Sequence, residues 1–203
     1  LKGVRVAVSP AFLTQGLDRE YERLTSEAMY RLRNAGVTVV VAELPESMRA
    51  ASDVVRGILG YELLESLAGF LREHETGLSL EAMIATTGAN LAPLLAASRN
   101  PGPPETYRKL LQQRQAITAA TAQYFREHKV QALAFPPTMM PAFAQGETQT
   151  DLFTLIGRNI GLGSCAGLAC LVLPIGLTAA GLPVAVEFDA PSGSDRQLLA
   201  LGL

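Results

Sequence analysis

Two apolar runs near the C-terminus, Ala169 to Val172 and Val184 to Phe188, constrain this chain more than any other feature. Near-continuous apolar runs of this length, bounded by Gly and Pro, read as fully buried strands. Between them stand a Pro174–Gly176 break and a Gly181-Leu182-Pro183 turn. Just upstream, Gly161, Gly163 and Gly167 sit with Ser164 and Cys165 in a stretch poor in bulk, which reads as a loop. Glycine there lets backbone come close to a ligand or to another piece of chain. On spacing alone, close packing between a strand and a helix is the favoured reading.

The N-terminal third reads as a strand–helix–strand unit. Val4 to Val8 and Val37 to Val41 are short β-branched runs. Between them Asp18 is placed to cap a helix, and Tyr21, Leu24, Ala28 and Leu32 repeat at helical spacing before Gly36 stops it. Short connections around one helix predict parallel strands. From Glu46 to Ala97 the pattern is helical but interrupted by Gly57, Gly60, Gly69, Gly77 and Gly88, which predicts several short helices. Asn100 to Pro104 is a loop, and a long amphipathic helix should run from about Glu105 to His128. Ala132 to Phe135 reads as a third strand that opens into the Pro-rich Pro136 to Ala142 segment, at the kind of strand end where α/β proteins place ligands. A helix is expected from Phe153 to Asn159, and another from near Ser194. Strands alternating with helices give an α/β class with a mixed, mostly parallel sheet flanked by helices.

Composition narrows the function classes. The 203 residues carry 17 basic and 19 acidic side chains, a net charge of −2, which gives no footprint for nucleic acid or an anionic membrane. Cys165 and Cys170 lack the spacing of a zinc knuckle or a disulfide framework, so no metal is expected, nor any cofactor. Glu187, Asp189 and Asp195 could suggest a metal, but the favoured reading makes Glu187 a lone strand carboxylate and Asp195 a first-turn acid of the last helix. Gly161-x-Gly163-x-x-Ala166 matches the dinucleotide fingerprint in letters, but here the helix precedes and the strand follows, the reverse of what the fingerprint needs, so it is set aside while a nucleotide-binding domain stays as one alternative. Ser164 is one place off a nucleophile elbow and has no histidine placed to activate it, since only His74 and His128 exist. An apolar fraction of 48% suggests a face that packs against something else, and allows a homo-oligomer. No run approaches a membrane span and no signal peptide is visible, so a cytoplasmic protein is expected. The chain begins at Leu1 and stops at Leu203 inside an expected helix, and both ends read as cut.

The order of these segments resembles the amidase signature family, and the resemblance runs over essentially the whole chain. Leu1 to Val8 (LKGVRVAV) and Val37 to Pro45 resemble its sheet strands beyond the signature region. Phe135 to Ala142 (FPPTMMPA) resembles its Pro-Thr/Pro-Ala loop, and Gly181 to Phe188 its GLPVG-type strand. Gly193-Ser194-Asp195-Arg196 with Leu198-Leu199 resembles its closing helix. Arg158-Asn159, Gly163-Ser164, Ala166-Gly167 and Glu187-Phe188-Asp189 are most similar to the members that hydrolyse mandelamide and indoleacetamide. Cys165, Ala169 and Ala185 depart from the Asn, Pro and Gly usual at those places.

The resemblance implies the C-terminal portion of a single amidase-signature domain spanning residues 1–203, the N-terminal signature region being absent. That family uses a Ser nucleophile, a second Ser and a Lys base, all on a Gly/Ser-rich segment that this sequence lacks. No catalytic residue is therefore assigned, and the chain alone is expected to be inactive. Its implied role is one wall of the pocket for an aryl or aryl-acetic amide, with Thr138, Met139, Asn159, Ile160 and Cys165 as substrate-binding candidates. Its implied partner is the missing N-terminal half. For each of Met139, Ile160 and Cys165 ordinary core packing is an equal reading. The competing function class is a non-catalytic α/β module that binds a small ligand or partner at its strand ends.

Overall fold

The computed structural model of the chain describes residues 1–87, 91–144 and 156–202. Its centre is a five-stranded sheet of order β2-β1-β3-β5-β4, with β1 Arg5–Val8, β2 Thr38–Val41, β3 Ala132–Phe135, β4 Ala169–Leu177 and β5 Pro183–Ala190. β1 pairs in parallel with β2 and β3, while β5 runs antiparallel to both β3 and β4. The sheet is mixed, as expected. The antiparallel part comes from the Gly181-Leu182-Pro183 turn, which is too short for a crossover and folds the two apolar runs into a hairpin.

Those two runs differ in their surroundings. β5 is buried from Val186 to Ala190. β4 is an edge strand whose alternate residues face out, with Val172 52% exposed, so it is not the doubly buried strand expected.

Helices cover both faces. On one side lie α3 (Ala51–Glu73), α6 (Pro104–His128) and α7 (Gly161–Ala166), packed on Ala7, Leu133 and Phe135. On the other lie α1 (Arg19–Asn34) and α8 (Asp195–Gly202), packed on Val6, Ala134, Val186 and Phe188. α1 starts where expected, with the Asp18 carboxylate accepting from the backbone N–H of Glu20 and Tyr21. α6 also runs as expected and ends on Lys129 in the left-handed region. Three short helices, α2 (Glu46–Arg49), α4 (Leu80–Ala85) and α5 (Ala92–Arg99), complete the described set.

Two expectations are corrected. The span from Glu46 to Ala97 does divide into several helices, but Gly57, Gly60 and Gly69 break nothing, and residues 51–73 form one 23-residue helix. The glycines do not stop it because tertiary packing outweighs their propensity cost of about 1 kcal/mol each. Gly57 even requires the close approach: a Cβ there would lie 2.8 Å from Leu110 Cδ1 on α6. The small-residue stretch before β4 is α7 and not a loop, closed by Gly167 at φ +65°. The glycines inside it serve packing, the reading favoured on spacing. Gly161 faces Ser52 of α3, and Gly163 faces Cys170 and Asp189 of the sheet. The helix expected from Phe153 lies in part outside the described residues; 156–157 are helical and 158–160 form a turn.

Candidate functional site

Three connecting segments converge at the carboxyl ends of β1 and β3. They are a single π-helical turn (Pro10–Thr14) after β1, the Pro-rich loop after β3, and residues 157–160 before α7. Parallel strands deliver the first two to the same edge of the sheet. The third is tied there by Asn159, whose Nδ2 donates to the carbonyls of Leu13 at 2.9 Å and Pro136 at 2.7 Å. Asn159 is 1% exposed. A primary amide is the side chain suited to this place, since it offers two donors without a charge.

Arg158 holds the same junction from outside. Its Nη2 donates to the Gln15 carbonyl at 2.9 Å, and its guanidinium lies 5.5 Å from the centroid of the Phe12 ring. Partial burial lowers its pKa from the ordinary arginine value. α3 contributes Ser52, whose hydroxyl meets the Gly157 and Arg158 carbonyls at 3.1 and 2.7 Å.

The five substrate-binding candidates divide by position. Thr138 is half-buried, with its Oγ1 3.2 Å from the Met140 carbonyl and 3.5 Å from the Tyr21 hydroxyl. Met139 is buried, and its carbonyl accepts from the Asp18 N–H at 3.0 Å. Ile160, next to the Asn159 clamp, is exposed. Cys165 is buried in the core with Leu133 and Leu162, and its carbonyl accepts from Arg114 Nε at 3.0 Å. Burial raises the Cys165 thiol pKa, against a smaller opposing effect of Arg114. Thr138, Met139 and Asn159 thus share one junction, with Ile160 at its surface and Cys165 in the packing behind.

Sequence reasoning missed Tyr21, Phe12 and Arg158 as parts of this junction. Their partners lie more than a hundred residues away in the chain or on irregular backbone, so no local period marks them. A groove of about 330 Å³ lies beside the junction, with Val8, Pro10, Thr14 and Pro136 among its walls. Thr25, whose buried hydroxyl has no partner among the described residues, also lines it. None of the five candidates does.

One group of metal-ligating side chains occurs among the described residues, and it lies elsewhere. Cys170, Glu187 and Asp189 bring their ligand atoms within 4.8 Å of one another. Glu187 is therefore not a lone strand carboxylate: it shares a face of β5 with Asp189, two residues on, and Asp189 is in register with Cys170 of β4. Burial, then the neighbouring Asp189 charge, raises the Glu187 carboxyl well above the usual range, and burial raises Asp189 as well.

Comparison with known proteins gives the class. The Amidase family profile matches residues 1–199. The chain belongs to the amidase family. It is 29% identical to an indoleacetamide hydrolase of Agrobacterium vitis, over 100% of this chain and 46% of the relative. It is 26% identical to a mandelamide hydrolase of Pseudomonas putida, over 91% of this chain and 40% of the relative. A solved amidase structure superposes with a TM-score of 0.79 at 21% identity, covering 100% of this chain and 45% of the other, which shows the shared fold. The chain spans about half the length of the curated relatives it matches.

Proposed function

We propose that this chain is the C-terminal part of an amide hydrolase that converts an aryl or aryl-acetic amide to the carboxylate and ammonia. The observation that carries the reading is the family match over residues 1–199, joined to a built junction at the strand ends where α/β proteins bind ligands. The relatives named for indoleacetamide and mandelamide support an aromatic substrate.

In this reading the chain supplies binding and position. Thr138 offers a hydroxyl and Ile160 an exposed apolar surface, while Met139, Asn159 and Cys165 form the layer that holds them. The nucleophile and its base come from a segment outside these residues. Chemistry requires them: a serine hydroxyl attacks an amide carbonyl only when a neighbouring base takes its proton, and backbone N–H groups must hold the oxyanion. The leaving nitrogen then needs a proton to depart as ammonia.

Ile160 gives the direct test. Truncation by Ile160→Ala in the full-length enzyme removes apolar contact worth about 1–3 kcal/mol for each methylene-sized group that touches substrate. The expected result is a fall of about tenfold or more in kcat/KM for phenylacetamide relative to a small aliphatic amide. An unchanged ratio would remove Ile160 from the pocket. Cys165→Phe makes the companion variant. A change in the same ratio places Cys165 at the substrate, and a lower Tm with the ratio intact places it in packing alone.

A further inference from the structure

The group formed by Cys170, Glu187 and Asp189 takes no part in the amide-hydrolase reading, and its geometry is unusual for a plain sheet face. Asp189 is 0% exposed, and neither carboxylate oxygen has a hydrogen-bond partner among the described residues. A buried carboxylate left in this condition costs free energy unless a cation or donor meets it. Glu187 is 5% exposed on the same face, so a second acid is buried beside the first. The Cys170 thiol lies across the hairpin in register with Asp189, and Cys170 is exposed, which leaves an entry path from solvent.

The helix above packs its backbone directly on the cluster. A Cβ on Gly163 would lie 2.8 Å from Cys170 Sγ and 2.9 Å from Asp189 Oδ2. Any side chain at that position of α7 would intrude on the cluster. This is one of the glycines in the fingerprint-like stretch for which the amide-hydrolase reading has no role.

We propose that Cys170, Glu187 and Asp189 form a binding site for a thiophilic divalent cation of the zinc type. One sulfur and two carboxylate oxygens, with the exposed side open to water, match the four-coordinate habit of that ion. A thiolate ligand disfavours magnesium and calcium, which take oxygen. Binding would draw the three ligand atoms together from their present separations and release protons from the thiol and the carboxyl pair. The ion would tie the β4 edge strand to β5 beneath α7, a structural role independent of amide hydrolysis.

The test uses the full chain, freed of metal with a chelator and titrated with Co²⁺ and, separately, with Zn²⁺. One equivalent of Co²⁺ should give a thiolate-to-cobalt charge-transfer band, and one equivalent of Zn²⁺ should displace it. Cys170→Ser should abolish the band, while Cys165→Ser should keep it, since Cys165 lies in the core. Asp189→Asn should weaken binding by at least about tenfold, the loss that even an outer partner of a metal site can cost. Zn²⁺ should raise the Tm of the unaltered protein and leave that of Cys170→Ser unchanged. Absence of the band at one equivalent, or its survival in Cys170→Ser, would overturn the proposal. So would Asp189→Asn binding as tightly as the unaltered protein.

Discussion

Replacing Gly161 with alanine should destabilise the fold by about 3 kcal/mol, at the upper end of what overpacking a core costs. The new Cβ would sit 2.6 Å from the Ser52 Cα and 2.0 Å from its Oγ. Backbone is the obstacle, so a side-chain rotation cannot relieve it, and α3 and α7 must separate. Separation also breaks the Ser52 bonds to the Gly157 and Arg158 carbonyls, which hold the third segment of the junction. For a chain of this length each kcal/mol moves the Tm by about 2–4 °C, so a fall of about 6–12 °C is expected in a thermal melt. A Tm within about 2 °C of the unaltered protein would show that the helices do not pack as described.

The second large effect is at Asn159. Asn159→Ala leaves the Leu13 and Pro136 carbonyls without their donor in a buried place. Each orphaned acceptor costs about 1–3 kcal/mol, so a loss of about 2–6 kcal/mol is expected from the urea midpoint. Asn159→Asp should cost more, although the side chain keeps its shape. It would put an acceptor, and at neutral pH a buried negative charge, against two carbonyl oxygens. Equal stability of the Asp and Asn forms would mean that the amide does not make these bonds.

These two residues also mark where sequence reading succeeds and where it stops. The helix after Asp18 was legible because its signal is local: a cap, then a 3.6-residue apolar repeat. The same holds for the three short strands and for the helix that ends at His128. The unbroken helix over residues 51–73 was not legible, because Gly57 packs against Leu110 of α6, some fifty residues away in the chain. Gly161 and Gly163 were visible as positions of close approach, but their partners Ser52 and Asp189 were not, and a six-residue stretch with Leu162 as its one large side chain gave no helical period. The candidate site follows the same rule. Its loop after β3 could be placed from the prolines and the strand end. Asn159 was noted through resemblance, yet nothing near it in the chain tells that it clamps two distant carbonyls.

In the proposed reading this chain binds and positions an amide while the nucleophile lies on another segment. The most direct measurement is ammonia release from phenylacetamide by the purified 203-residue chain, run beside a longer chain that adds a Gly/Ser-rich signature segment before it. The expected result is turnover by the longer chain and none above the uncatalysed rate by this chain. Turnover by the chain alone, lost on Ser164→Ala, would contradict it and make Ser164 the nucleophile.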